Sequence, residues 1–198
     1  FGLFLVQSGV PADVFVEGYR GDGENFVTNN GTWLNQGFVT SEPYSFSTGN
    51  NWAKPIDAVT VGELGYPNYT GMLSVATGRM DELEPCLEKL VPIIQQAIVD
   101  YMDDPAEVFE VIHQFNEEGH ATSWWKTSMG KLEFAWSTMK ERGIMGNGTS
   151  NAVGDFDMER VETMFETVKP WLDERADENV APDMVVTNRF IDPTIGLK

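Results

Sequence analysis

Apolar positions change their spacing near residue 80. From Asp81 onward they recur every three or four residues, the period of a helix that buries one face. Leu83, Leu87, Leu90, Val91, Ile94, Ile98 and Tyr101 form the first such stripe, with Pro92 as its kink point. Pro105 stands at an N1-type position and opens a second helix, whose Val108, Val111, Ile112 and Phe115 are expected to point inward. Trp125, Met129, Leu132, Trp136 and Met139 form a third stripe, from a cap at Thr122 or Ser123 to Gly143. Val161, Met164, Phe165, Val168, Trp171 and Leu172 form a fourth, capped by Asp155 or Asp157. The Met and Trp residues on these stripes read as core rather than cofactor ligands.

Before Thr77 the texture is different: short apolar runs stand between Gly, Asn, Pro and Thr clusters. Phe1 to Ser8 reads as a helix with Gly9 as its C′ residue, and Asn25 to Thr28 as a short helical stretch. Val14 to Val16, Gly37 to Thr40, Ile56 to Val61 and Met72 to Thr77 read as strands. Strands and helices followed by a helical tail predict an α/β or α+β chain, divided into residues 1–77 and a helical section 78–198. The Gly- and Asn-rich stretch from Gly143 to Gly154 is the hinge or linker candidate within that tail.

Composition narrows the partners. Thirty-one acidic residues against thirteen basic ones leave a net charge of −18, which repels a phosphate backbone and an anionic membrane alike. Nucleic acid is excluded as a partner on that ground. An apolar fraction of 41% is enough for a globular core. The lone cysteine, Cys86, cannot close an internal disulfide, and its place among Leu83, Leu87 and Leu90 predicts a buried thiol. No run of eighteen apolar residues is present, and no signal segment opens the sequence. The start at Phe1, inside the apolar stretch FGLFLVQSG, reads as that of a processed or truncated product.

Several chemistries lack their residues. There is no Gly-x-Ser-x-Gly elbow and no His-Glu-x-x-His pair. His113 and His120 would share a helical face only if a helix ran through Gly119, so they read as surface or interface residues. Gly18, Gly21 and Gly23 match no phosphate-binding fingerprint and read as turn residues. Asp155, Asp157 and Glu159 are explained by helix capping better than by a calcium loop. Lys54, Lys89 and Lys126 have no cofactor signature around them, and no cofactor is expected. The triplets beginning at Asn30, Asn68 and Asn147 have the form of glycosylation acceptors and coincide with turns.

What remains is a polar and aromatic set held by stiff turns. Thr40, Ser41, Glu42 and Tyr44 surround Pro43, Trp52 follows, and Tyr66, Asn68 and Tyr69 flank Pro67. Rigid rings with hydrogen-bonding tips suit a small polar or heteroaromatic solute, and these eight residues are the candidate ligand contacts. The competing reading is plain turn packing of the same aromatics.

The run QGFVTSEPY (36–44), the stretch VTVGELGYPNYTGMLSVAT, the helix around CLEKLVPIIQQAIVDYMDDPAE and the tail VVTNRFIDPTIGL (185–197) together resemble the second half of periplasmic-type solute-binding proteins of ABC importers. The similarity is to the family that binds sulfonates, taurine, nitrate or thiamine pyrimidine precursors. It implies a type II periplasmic-binding-protein-like α/β fold. One lobe and a helical return segment would be present, with the first lobe's N-terminal strands missing. It also implies capture of a small solute in an interlobe cleft, an ABC transporter permease as partner, and an extracytoplasmic location. Self-association of the shortened chain would cover its exposed apolar surface. Two other readings stand beside it. A thiamine-pyrimidine synthase shares that fold but carries a cysteine-rich motif absent here, so no enzyme is expected; a solute-sensing regulatory domain would need a further effector segment.

Overall fold

The computed structural model describes residues 2–14, 23–49, 52–121, 126–171 and 180–198. In chain order its helices are α1 (Gly2–Gln7), α2 (Glu24–Thr28), α3 (Glu42–Thr48), α4 (Met80–Asp103), α5 (Ala106–Glu117), α6 (Met129–Glu141), α7 (Met158–Val168) and α8 (Pro182–Val185). Short 3₁₀ turns stand at Ala12–Val14, Thr77–Arg79 and Lys169–Trp171.

No strand forms among the described residues, and this overturns the α/β, type II periplasmic-binding-protein-like fold expected from the sequence. Val14 closes a 3₁₀ turn, while residues 15 and 16 of that expected strand lie outside the described residues. Gly37 to Thr40 ends in a turn, with the Ser41 and Glu42 N–H groups both donating to the Phe38 carbonyl (2.9 and 3.1 Å). Ile56 to Thr60 and Met72 to Ala76 run as coil, with Val61 opening a turn and Thr77 a 3₁₀ turn. A strand is stabilised by a ladder partner and an apolar face to bury. These runs have neither: Val59, Met72 and Leu73 stay exposed. The sheet-like pairing present among the described residues is one antiparallel bridge, Asn147 with Val153.

Chain contacts divide the molecule into two compact units, each discontinuous in sequence. The first comprises residues 1–60 and 106–142. Here α3 and α5 both pack on α6. Phe109 and Asn116 are the buried residues of α5, and Ile112 is half-buried between them in helical register. The inward face is thus rotated from the one expected, since Val108, Val111 and Phe115 are exposed. Asn116 explains the choice: its Nδ2 donates to the Ile112 carbonyl (2.9 Å) and its Oδ1 accepts from the Thr127 N–H (3.4 Å), so the polar side chain is buried with partners. Helix α5 ends at Glu117, and Gly119 follows at φ +79°, a left-handed stop, so no helix runs on to His120. Ser128 caps α6 by accepting from the Lys131 N–H; the expected cap at Thr122 or Ser123, and Trp125 with it, lie outside the described residues.

The second unit comprises residues 61–105 and 143–198, and α4 is its long element. Leu87 and Met102 are buried along it, with Leu83, Val91, Ile98 and Tyr101 half-buried, close to the expected stripe. Burial pushes the Tyr101 phenol up from its ordinary value. The helix continues through Pro85 and Pro92, which supply no N–H to the Asp81 and Glu88 carbonyls. Cys86, expected to be buried, is exposed, one position out of the buried face marked by Leu87.

Side-chain amides do in this unit what a strand ladder does elsewhere. Gln95, 2% exposed, donates from Nε2 to the Val153 carbonyl (2.9 Å) and the Asp192 carbonyl (3.2 Å), and its Oε1 accepts from the Asp192 N–H (2.9 Å). Asn147 brackets Leu197 in the same way, accepting from its N–H (2.7 Å) and donating to its carbonyl (2.8 Å). Asn188 brackets Phe156 at 2.7 and 2.8 Å. Each carboxamide sets an N–H donor beside a C=O acceptor in one plane, which matches the C=O and N–H of a peptide unit. The tail from Val186 is held by these clamps, by an ion pair of Arg189 with Glu84, and by the Val153 N–H donating to Ile195 (3.1 Å). Thr194 donates from both hydroxyl and N–H to Asp192, which holds that carboxyl below the usual carboxylate range.

Candidate functional site

Four of the eight candidate residues, Thr40, Ser41, Glu42 and Tyr44, stand at the start of α3 in the first unit. Ser41 occupies the N-cap position without a side-chain cap bond, and Pro43 fills the first turn where its missing N–H costs nothing. Glu42 folds back so that its Oε2 accepts the Phe38 N–H (2.6 Å), with Gly37 against the carboxylate; a Cβ there would come within 2.7 Å of Glu42 Cδ. That carboxylate is therefore engaged in shaping the turn. Tyr44 lies 5.7 Å, centroid to centroid, from Phe134 of α6. Its hydroxyl approaches Gly130 so closely that a Cβ would sit 2.3 Å away, which accounts for a glycine inside a helix where alanine is otherwise preferred.

Trp52 belongs to an aromatic cluster in the same unit. Phe26 lies 4.9 Å from both Phe46 and Trp52, tilted by 58° to each. Gly23 (φ +67°) admits Phe46, and Gly31 (φ +73°) admits the Trp52 ring, where a Cβ would meet Cη2 at 2.6 Å. The Lys54 ammonium stands 4.9 Å from the Trp52 ring centroid. The indole Nε1 of Trp52 is buried and has no acceptor among the described residues. Trp136 repeats the pattern on α6, with Lys140 Nζ 4.5 Å from its ring and its own Nε1 buried without an acceptor. A buried donor left without a partner costs roughly 1–3 kcal/mol, and folded proteins keep few of them.

Tyr66, Asn68 and Tyr69 fall in the second unit, on a turn docked against the start of α7. Arg160 organises this turn: Nε donates to the Pro67 carbonyl (2.9 Å), Nη2 to the Asn68 carbonyl (2.6 Å), and the guanidinium lies 4.1 Å from the Tyr69 ring centroid. The Tyr69 hydroxyl accepts the Asp157 N–H (2.9 Å), and Phe156 meets its ring edge-on at 5.1 Å. Asp157 in turn caps α7, accepting from the Glu159 N–H (3.0 Å), as the sequence leads one to expect. Asp155 instead accepts from the Ser150 N–H (3.0 Å) and hydroxyl (2.6 Å). Asn147 spends its side-chain amide on Leu197, so its glycosylation-type triplet is occupied by a structural clamp.

A surface hollow of about 540 Å³ lies along α7, lined by Glu159, Glu162, Thr163, Glu166 and Thr167. Both threonine hydroxyls donate to backbone carbonyls of the same helix, at 2.9 and 2.7 Å, which leaves carboxylates as its polar lining. No group of three or more His, Cys, Asp or Glu able to hold a metal ion occurs among the described residues. His120 Nε2 stands 3.2 Å from Glu118 instead.

The candidate residues thus divide between the two units; the Glu42 carboxylate and the Tyr69 hydroxyl each accept a backbone N–H, and Arg160 holds the Asn68 carbonyl. Lys54, read from the sequence only as lacking a cofactor signature, stands beside the candidate Trp52; it is one of thirteen basic residues in a chain of thirty-one acids and two positions from that ring. That scarcity and that spacing were its signal. Compared with protein-family models, with curated proteins and with solved structures, the chain gives no match.

Proposed function

We propose that this chain is a solute-binding component of an ABC importer that works outside the cytoplasm, delivers its solute to a membrane permease and converts nothing. The solute is a small molecule of the sulfonate, taurine, nitrate or pyrimidine-precursor class. The support is the ordered set of segments from Gln36 to Tyr44 through to the tail at 185–197, together with the state of Trp52. It rests on those segments and on Trp52, and not on an α/β architecture, since no strand forms among the described residues.

The observation that carries it is Trp52. A ring fixed by Phe26 presents a buried N–H that has no acceptor among the described residues, beside a lysine ammonium. Such a pair offers a donor and a positive charge to an oxygen-rich group, while the ring face offers stacking to a flat one. The Glu42 carboxylate shapes its own turn and so does not select an amine-bearing solute.

Thermal shifts against taurine, alkanesulfonates, nitrate, bicarbonate and pyrimidine precursors test this. A true ligand at about a hundred times its Kd stabilises by roughly 2.7 kcal/mol. For a chain of this size that raises Tm by several degrees. Trp52→Phe keeps an aromatic ring but deletes the donor, so it is expected to weaken that ligand about tenfold, or roughly 1.4 kcal/mol, with the ligand-free Tm somewhat lowered by the packing lost at Gly31. A panel in which nothing shifts Tm, or in which a compound is consumed, sinks the proposal.

A further inference from the structure

Helix α5 presents an apolar stripe that continues outward from its buried face. Val108 is 39% exposed, Val111 62% and Phe115 52%. At 3.6 residues per turn the three fall within a sector of about 60°. Phe109 and Asn116 anchor the adjoining face in the first unit, with half-buried Ile112 between the two, so the stripe is displayed by an anchored helix. Phe115 is further fixed by His120, whose ring lies 5.0 Å away, and His120 is held by Glu118, which also accepts from Gln114 Nε2 (2.8 Å). Along one edge of the stripe run Glu107, Gln114 and Glu118, with Glu110 behind them, all exposed; α5 carries no lysine or arginine.

From this juxtaposition we infer that the Val108–Val111–Phe115 stripe and its glutamate edge form a docking surface for a basic amphipathic helix of a partner protein. Charge selects the occupant. A second copy would bring one acidic edge against another on chains that each carry −18, and the same edge repels an anionic lipid surface. A helix with apolar residues at i, i+3, i+4 and i+7 fills the stripe, and lysines or arginines beside that ridge meet Glu107, Glu110 and Glu118. Twelve residues of α5 span about 18 Å, so the interface is small and the association transient. This inference stands independently of the solute-binding reading.

A synthetic four-turn peptide of leucine and lysine, with leucines at helical spacing, tests it by fluorescence anisotropy at physiological salt. Its control is a peptide of identical composition with the order shuffled. The patterned peptide is expected to bind at least tenfold more tightly, about 1.4 kcal/mol. Val111→Asp is expected to bring its affinity down to that of the shuffled peptide. Val111 is exposed, so this variant keeps the fold, as unchanged circular dichroism would show; Ile93→Asp, at an exposed apolar position of α4, leaves binding intact. Equal binding of both peptides means charge alone acts, and overturns the surface. So does unchanged binding by Val111→Asp, and so does a dimer in sedimentation that Val111→Asp dissolves, which assigns the stripe to a second copy.

Discussion

Gln95 is a polar residue on the buried face of the longest helix described, and it is there for its geometry. Its carboxamide meets Val153 and both polar groups of the Asp192 peptide, 58 and 97 residues away. Gln95→Met preserves the length of the side chain and removes every one of those bonds. Two carbonyls and one N–H would then lose their partner, at roughly 1–3 kcal/mol for each that stays dry. Part of this is relieved by the tail moving toward water, so a net loss of about 3 kcal/mol is expected, read from the urea midpoint. The neighbouring Gln96 is exposed and bonds Asp100 within its own helix (2.6 Å), so Gln96→Met is expected to stay within about 0.5 kcal/mol of the parent. Equal effects of the two substitutions would refute the clamp. The close approach of Asp155 to Gly148 belongs to the same scale: a Cβ on residue 148 would collide with the carboxylate, so this glycine is fixed by packing and not by turn conformation.

Among the elements, α7 shows how local signals succeed. Asp157 at its N-cap accepts the Glu159 N–H and, at 3.5 Å, that of Arg160, and Glu159 in the first turn favours the positive end of the helix dipole. Asp157→Ala is expected to cost about 1 kcal/mol and to loosen the Tyr66–Tyr69 turn as well, because Arg160 leaves α7 to hold that turn. Hydrogen exchange at Tyr69 and Arg160 would report the coupling, and protection unchanged there would separate the cap from the turn. The long helices and this cap were legible in the sequence because their signals lie within a few residues of one another. The absence of strands among the described residues was not. Runs such as Ile56 to Val61 have strand-like composition, and whether they pair depends on partners far along the chain. The rotation of α5 was equally hidden, since Val111 outranks Asn116 in hydrophobicity and only the distant Thr127 N–H makes burial of the asparagine favourable. For the candidate site, the sequence identified Trp52 as a rigid aromatic. It contained no sign that Glu42 and Tyr69 would be spent on turns.

At the scale of the whole molecule, charge outweighs pairing. Thirty-one acidic and thirteen basic residues share one chain, and its ion pairs among the described residues, such as Arg79 with Glu82 and Lys169 with Glu166, lie at the surface. Exposed pairs of this kind contribute about 0–1 kcal/mol each. Repulsion among the unpaired carboxylates acts over the Debye length, which shrinks from about 30 Å at 0.01 M salt to about 3 Å at 1 M. Salt therefore removes little attraction and much repulsion, and it favours the folded state over that range. An increase in Tm of a few degrees is expected between those limits, corresponding to about 1 kcal/mol. Sodium chloride and potassium chloride should act alike, because the effect is ionic strength and not a bound ion. A Tm that falls as salt is added would mean that the surface pairs stabilise the chain more than its −18 charge destabilises it.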